Sequence, residues 1–205
     1  VARGELRAVL HGKDTLDVTL GAARLNLPHD AFFQVNPRGA EVLVQTISEA
    51  LGLGENGDVG GVLVDLYCGV GAIGLALSDR VDRLIGIEVH EGAVDCAAAN
   101  AEAMGISAEF LAGQVEDVVP KLDLGSDVRI VVDPPRAGLH PRAARFIAQH
   151  PARVLVYVAC GPASLGRDRE LLEEGGWQMT DLWTVDLFPQ THHIEAVARF
   201  VRPDR

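Results

Sequence analysis

The chain has 205 residues, 48% hydrophobic and 23% charged, with a formal net charge of -11 at pH 7. This mixture belongs to a folded globular domain, contains no run near the roughly 18 apolar residues of a membrane-spanning helix, and is too acidic for a general electrostatic clamp on nucleic acid. Its three cysteines, Cys68, Cys96 and Cys160, are odd in number and far apart, which excludes a disulfide framework and a cysteine zinc site and points to a reducing cytoplasm.

The opening residues, VARGELRAVL, carry neither an initiator Met nor a signal-peptide core, so the chain is expected to be part of a longer protein. Residues 1–30 alternate weakly, as in LDVTL and ARLNL, and are read as a small β appendage or a linker to an N-terminal part; residues 31–205 then form the main domain. Asn36 and Pro37 cap and open a helix whose apolar residues Ala40, Leu43, Val44, Ile47 and Leu51 share one face. Five short apolar runs follow: GVLVDLY, RLIGIE, AEFLAG, VRIVVD and RVLVYVAC. Their β-branched content predicts strands buried on both faces, as in a parallel sheet. Helical stretches at 71–78, 91–104, 141–150 and 163–174 alternate with them, which predicts a doubly wound α/β fold. At the C-terminal end, WQMTDLWTVDLF and HHIEAVARFVR read as strands joined by little more than PQT, a link that permits only an antiparallel pair.

Gly69-x-Gly71-x-x-Gly74 lies between a predicted strand and a predicted helix, where glycines allow a tight turn and close approach of backbone N–H groups to a ligand. The next strand ends in Glu88, an acid placed to accept hydrogen bonds from two ribose hydroxyls. Dinucleotides and S-adenosylmethionine both use this arrangement, so the loop alone leaves a dehydrogenase and a methyltransferase open. The DPPR sequence at 133–136 puts Asp133 at the C-terminal edge of the fourth strand, on a loop stiffened by two prolines. A methyltransferase acting on a planar base can use such a loop; a dehydrogenase has no need of it.

Cys160, in YVACGPASLGRD, falls at the C-terminal edge of the fifth strand, on the ligand side and ahead of a predicted helix whose N-terminus favours a thiolate. Glu195, in FPQTHHIEAVARF, begins the last strand and can face the same crevice as a general base. Cys68 and Cys96 are read as packed thiols, and His192 and His193 have no third ligand spaced for a metal, so none is expected.

Together, FFQVNP at 32–37, DLYCGVG at 65–71, GIE at 86–88, DPPRAGL at 133–139, and YVACGPASLGRD with FPQTHHIEAV resemble the RNA 5-methyluridine methyltransferases over about residues 30–202. The resemblance implies a Rossmann-like class I methyltransferase fold: a doubly wound, mostly parallel seven-stranded sheet with an antiparallel C-terminal strand. It implies methyl transfer from S-adenosylmethionine to C5 of a uridine in RNA, rRNA being favoured over tRNA. By the same resemblance Cys160 is the nucleophile that adds to uracil C6, Glu195 the base that removes the C5 proton, and Asp133 a catalytic acid. Gln34, Tyr67, Gly69, Gly71, Glu88, Gln114 and Asp133 match cofactor-contact positions, and Arg136 and Arg167 are assigned to phosphate or to structuring the loops. The chain departs from the pattern in having Ala159-Cys160-Gly161-Pro162 where many relatives have Ser-Cys-Asn-Pro, and Ala72 where many have a polar residue. RNA binding is expected to need the N-terminal part, since the family's β-barrel domain and the upstream cysteines that hold an iron–sulfur cluster in some members are not in this sequence.

Two other readings stay open. A methyltransferase acting on an exocyclic amine also uses a Pro-Pro loop after an acid, but needs no cysteine. A cofactor-binding module without catalysis would serve as an RNA-docking domain. RNA cytosine-5 enzymes are disfavoured because they carry Pro-Cys where this chain has Pro135-Arg136.

Overall fold

A computed structural model describes residues 15–28, 36–53, 60–125, 127–191 and 193–203. Strands β1 (Thr15–Leu20) and β2 (Ala23–Pro28) form an antiparallel hairpin. Its alternation buries Ala23, Leu25 and Leu27 on one face, and with Leu20 they join the hydrophobic cluster that underlies the main sheet. Helix α1 (Pro37–Ala50) starts as its sequence dictates: the Asn36 side chain accepts from the Gly39 N–H at 3.1 Å, and Pro37 occupies the first turn. Leu43, Val44 and Ile47 are buried along one stripe.

The rest alternates strand and helix: β3 (Val62–Leu66), α2 (Ala72–Ala76), β4 (Arg83–Glu88), α3 (Glu91–Ala103), β5 (Ala108–Ala112), α4 (Val115–Val118), β6 (Val128–Val132), α5 (Pro141–Gln149), β7 (Val154–Ala159), α6 (Pro162–Glu174), β8 (Gln178–Val185) and β9 (Glu195–Val201). The seven-stranded sheet runs β5-β4-β3-β6-β7-β9-β8. Its first five strands are parallel, and β9 runs antiparallel between β7 and β8. The predicted doubly wound sheet with an antiparallel C-terminal strand is thus present. Strands β6 and β7 are buried at every position, because helices cover both faces.

Three expectations need correction. β5 is half-exposed because it forms the sheet edge, so AEFLAG is not buried on both faces. The helix expected at 71–78 stops at Ala76 and passes into a 3-10 turn, Ser78–Arg80. The link between the last two strands spans 186–194, much longer than PQT. Leu187 leaves the strand to pack in the core, where its carbonyl accepts from the Asn36 side chain at 3.2 Å, and Gln190 turns the chain at φ 71°.

The crossover order places the C-terminal ends of β3, β4, β6 and β7 along one sheet edge, and β9 begins at that same edge. Five sequence segments far apart in the chain therefore meet there.

Candidate active site

The glycine loop leaves β3 through Tyr67, which takes the left-handed conformation at φ 65°. Gly69 (φ 54°) and Gly71 (φ 75°) continue the turn. A side chain at Gly71 would strike the Phe110 ring, so this glycine lets the loop close onto its neighbours, whereas one at Gly69 would project into open space. The Glu88 carboxylate accepts from the Gly69 N–H at 3.1 Å and the His90 N–H at 3.0 Å, one donor on each oxygen. Each oxygen keeps acceptor capacity, and the carboxylate braces the loop. Tyr67, Cys68, Gly69 and Asp133 line an open cleft whose far wall is made by Leu20 of the hairpin and Leu43 and Val44 of α1.

A second acid underlies the loop. Asp65 is fully buried on β3 and accepts from the Gly74 N–H at 3.0 Å, while its other oxygen has no partner. Burial, opposed by that hydrogen bond and reinforced by Asp133 and Glu88, pushes its carboxyl up to about 7. Burial likewise raises Tyr67 to about 12 and carries the Cys68 thiol well above its ordinary range, which makes Cys68 a packed, protonated thiol.

Ala159 of β7 pairs with Ala196 of β9, so Cys160 and Glu195 are the next residues along the two strands, at the same end of the sheet. Cys160 is half-buried and free, one residue before Gly161, the N-cap of α6. Glu195 is buried; desolvation raises its carboxyl, with the Arg136 guanidinium opposing. Asp133 follows β6, its N–H donating to the Leu66 carbonyl at 3.3 Å, and its carboxyl is pushed up to about 7 by burial and by Glu195. Cys160 and Glu195 thus meet at the end of the β7–β9 ladder, with Asp133 and Arg136 both near enough to act electrostatically on or with Glu195.

The other anticipated positions fall as follows. Gln34 lies outside the described residues, as does His192. Gln114 is exposed at the N-cap of α4, next to Gly113, whose N–H donates to the Glu88 carbonyl at 2.8 Å. Arg167 structures a loop: it pairs with Asp168 at 2.8 Å and donates to the Ala137 carbonyl at 2.6 Å. Cys96 lies on α3 against the hairpin, its Sγ 3.3 Å from the Asn26 carbonyl. Asp65 and Asp168 escaped the sequence reading because periodicity marks buried apolar residues and not buried acids; the DLYCGVG and GRD segments contained them without signalling their burial. Among the described residues no group of three or more His, Cys, Asp or Glu side chains is arranged for a metal ion, and no helix is long and apolar enough to cross a membrane.

Comparison with known proteins fits this geometry. Residues 35–155 match the methyltransferase small domain, and residues 119–202 match the tRNA (uracil-5-)-methyltransferase family. An uncharacterized RNA methyltransferase of Enterococcus faecalis is 40% identical over 198 residues, covering 95% of this chain and 42% of that protein. One from Clostridium acetobutylicum is 35% identical over 210 residues, covering 100% and 44%. The crystal structure of Pyrococcus abyssi tRNA (uracil-54, C5)-methyltransferase in complex with S-adenosyl-L-homocysteine superposes with a TM-score of 0.80 at 31% identity, covering 93% of this chain and 45% of that one. The chain thus spans less than half the length of these relatives. The chain belongs to the methyltransferase small-domain family, whose model matches more than half of it, and over residues 119–202 it is similar to the tRNA (uracil-5-)-methyltransferase family.

Proposed function

We propose that this chain is the catalytic part of an enzyme that transfers a methyl group from S-adenosylmethionine to C5 of a uridine in RNA, with residues 31–205 as the catalytic domain and residues 1–30 leading from an N-terminal part that supplies RNA binding. The carrying observation is the register that brings Cys160 and Glu195 side by side at the sheet edge where the glycine loop and Asp133 also lie. The cleft fits the cofactor: Gly69 leaves room for close approach, and Glu88 keeps acceptor capacity for hydroxyl donors. Gly71, Tyr67 and Asp133 would complete the cradle, with Gln34 and Gln114 as further contacts. The solved Pyrococcus abyssi relative holds S-adenosyl-L-homocysteine.

S-adenosylmethionine, when bound, supplies an electrophilic methyl group. Uracil C5 is too weak a nucleophile to take it unaided. The Cys160 thiolate adds to C6, forming an S–C6 bond and moving the C5–C6 electron pair toward C5 and the O4 carbonyl. Asp133, raised to about 7, holds a proton through part of the neutral range; it can donate that proton to O4 as the enolate forms and recover it when the electron pair moves to C5 and the methyl group is taken, restoring the O4 carbonyl. Once C5 carries its methyl group, Glu195 takes the remaining C5 proton. The electron pair so released re-forms the C5–C6 double bond as the S–C6 bond breaks, and Cys160 leaves as thiolate.

Ribosomal RNA is the substrate class expected from the sequence. Transfer RNA is favoured by the family match over residues 119–202 and is the substrate named for the Pyrococcus abyssi relative. Mapping 5-methyluridine in both RNAs, from cells with and without the full-length protein, separates them; no lost uridine methylation in either would overturn the proposal.

A further inference from the structure

Asp168 lies on α6, the helix that follows Cys160, and is fully buried. A buried carboxylate is tolerated only when paired and hydrogen-bonded, and here both oxygens are used. One oxygen accepts from the Tyr157 hydroxyl at 2.8 Å and the Leu139 N–H at 2.7 Å; the other accepts from the Arg167 Nε at 3.0 Å and Nη2 at 2.8 Å. Arg167 also donates to the Ala137 carbonyl at 2.6 Å. These partners come from three elements. Tyr157 is on β7, shortly before Cys160; Arg167 is on α6; Ala137 and Leu139 belong to the loop that starts at Asp133.

Gly138 lies between those two loop contacts at φ 81°, and a side chain there would fall on the Arg167 guanidinium and the Asp168 carboxylate. The glycine of DPPRAGL therefore serves the close docking of the loop on α6. The loop's other anchors lie at its ends: Asp133 N–H to the Leu66 carbonyl at 3.3 Å, and the His140 side chain 3.2 Å from Glu116. Between them, Asp168 and Arg167 reach its centre.

We propose that Asp168 is a positioning residue: its carboxylate pins the 133–139 loop to the strand and helix on either side of Cys160, and so fixes where Asp133 stands relative to the thiol. This rests on the uracil-5 reading above. The energetic logic is that of orientation, since a displacement of about 1 Å at a reacting group can cost about 100-fold in rate. Asp168 touches no reacting atom, so its loss should slow chemistry more than it weakens binding.

The test uses the full-length protein with Asp168→Asn, Tyr157→Phe and Gly138→Ala. Each is measured for single-turnover methylation of RNA, KM for RNA, affinity for S-adenosylhomocysteine, melting temperature, and hydrogen exchange at the Leu139 amide. Asp168→Asn keeps an acceptor for Leu139 and Tyr157 but loses the charge that holds Arg167. The expected result is a fall of about 10- to 100-fold in the single-turnover rate, with KM for RNA within about twofold of wild type, a loss of cofactor affinity smaller than the loss of rate, and faster Leu139 exchange. An unchanged rate in Asp168→Asn overturns the proposal, and so does a rate that falls only in proportion to lost folded protein. Should Asp168→Asn fail to fold, Tyr157→Phe decides: a slower rate at unchanged melting temperature supports positioning, and an unchanged rate removes it. If the wild-type protein methylates no uridine, the uracil-5 reading falls separately. Leu139 exchange then decides the clamp, faster exchange in the folded variants supporting it and unchanged exchange overturning it.

Discussion

Cys160 and Glu195 stand at the same level of two neighbouring antiparallel strands, each the next residue beyond the paired Ala159 and Ala196. A sheet register is among the least deformable features of a fold, because a slip of one residue turns every side chain of the strand to the other face. The nucleophile and the base proposed for this reaction are thus held by the β7–β9 ladder itself. Loops supply the rest of this edge: Asp133 and Arg136 follow β6, next to β7, and the glycine turn follows β3, one strand further along.

The charge around Glu195 sets the first prediction. Burial raises its carboxyl and Arg136 opposes the rise, and a general base works only above its own pKa. Arg136→Gln removes the opposing charge, so Glu195 titrates higher and the acid limb of the pH–rate profile moves to higher pH. Release of methylated RNA, followed from pH 5 to 9 on the order of one-unit steps, measures it. An acid limb that stays in place in the variant would separate Glu195 from the step it is assigned.

Glu88 braces the Gly69 and His90 amides in the structure, and in the proposed cradle its remaining acceptor capacity serves the cofactor. Glu88→Ala should weaken S-adenosylhomocysteine binding by about 1.5–3 kcal/mol, the range for hydrogen bonds to a charged group. Glu88→Gln, which keeps an acceptor but not the charge, should lose less. Calorimetry measures both, with NAD as the control that should not bind. Wild-type affinity in the alanine variant, or tighter binding of NAD, would remove Glu88 from the cradle.

Asp65 makes folding sensitive to pH. Its carboxyl is raised from 3.8 to about 7 in the folded protein, so between those values the folded state holds a proton that the unfolded state has released. Stability is therefore full below the lower value and declines as pH rises toward the upper one. Asp65→Asn retains an acceptor for the Gly74 N–H and removes this titration, which should flatten the decline. Asp133, also raised to about 7, leaves a residual slope. Urea midpoints measured across that interval test the point: equal slopes for variant and wild type would mean that Asp65 is ionised in the folded protein.

Much of this architecture was legible in the sequence because burial on both faces writes itself as runs such as VRIVVD and RVLVYVAC, and because Asn36-Pro37 and the glycine turn use side-chain chemistry that few other local structures need. The candidate thiol and carboxyls were legible too, since a residue just past a parallel strand is at the ligand edge by topology alone. Asp65 and Asp168 were not. Their burial depends on donors that come from elsewhere in the chain, the Leu139 amide and Tyr157 hydroxyl for Asp168 among them, and no local pattern encodes a partner 29 residues away. The long 186–194 link was misjudged for a similar reason: Leu187 leaves the strand for a place in the core beside α1, a tertiary contact that overrides its strand-like surroundings.

The order of steps at Cys160 and Glu195 gives the last prediction. If Cys160 adds to C6 before C5 is methylated, Cys160→Ala abolishes methylation and also the covalent adduct with 5-fluorouridine RNA, because fluorine at C5 cannot leave as a proton does. Glu195→Gln separates the later step from the earlier ones. Its thiol and cofactor cradle are intact, so addition and methylation proceed, while removal of the C5 proton stalls and the S–C6 bond cannot break. Methylated RNA should then accumulate on Cys160, visible as a species resistant to denaturing gels and located by peptide mapping. The full-length protein is the one to assay, because a chain of net charge -11 has little general attraction for RNA. Cys68, whose thiol is buried and raised, should carry no adduct in any variant. An adduct mapped to Cys68, or full activity in Cys160→Ala, would show that the thiol at the end of β7 is not the nucleophile.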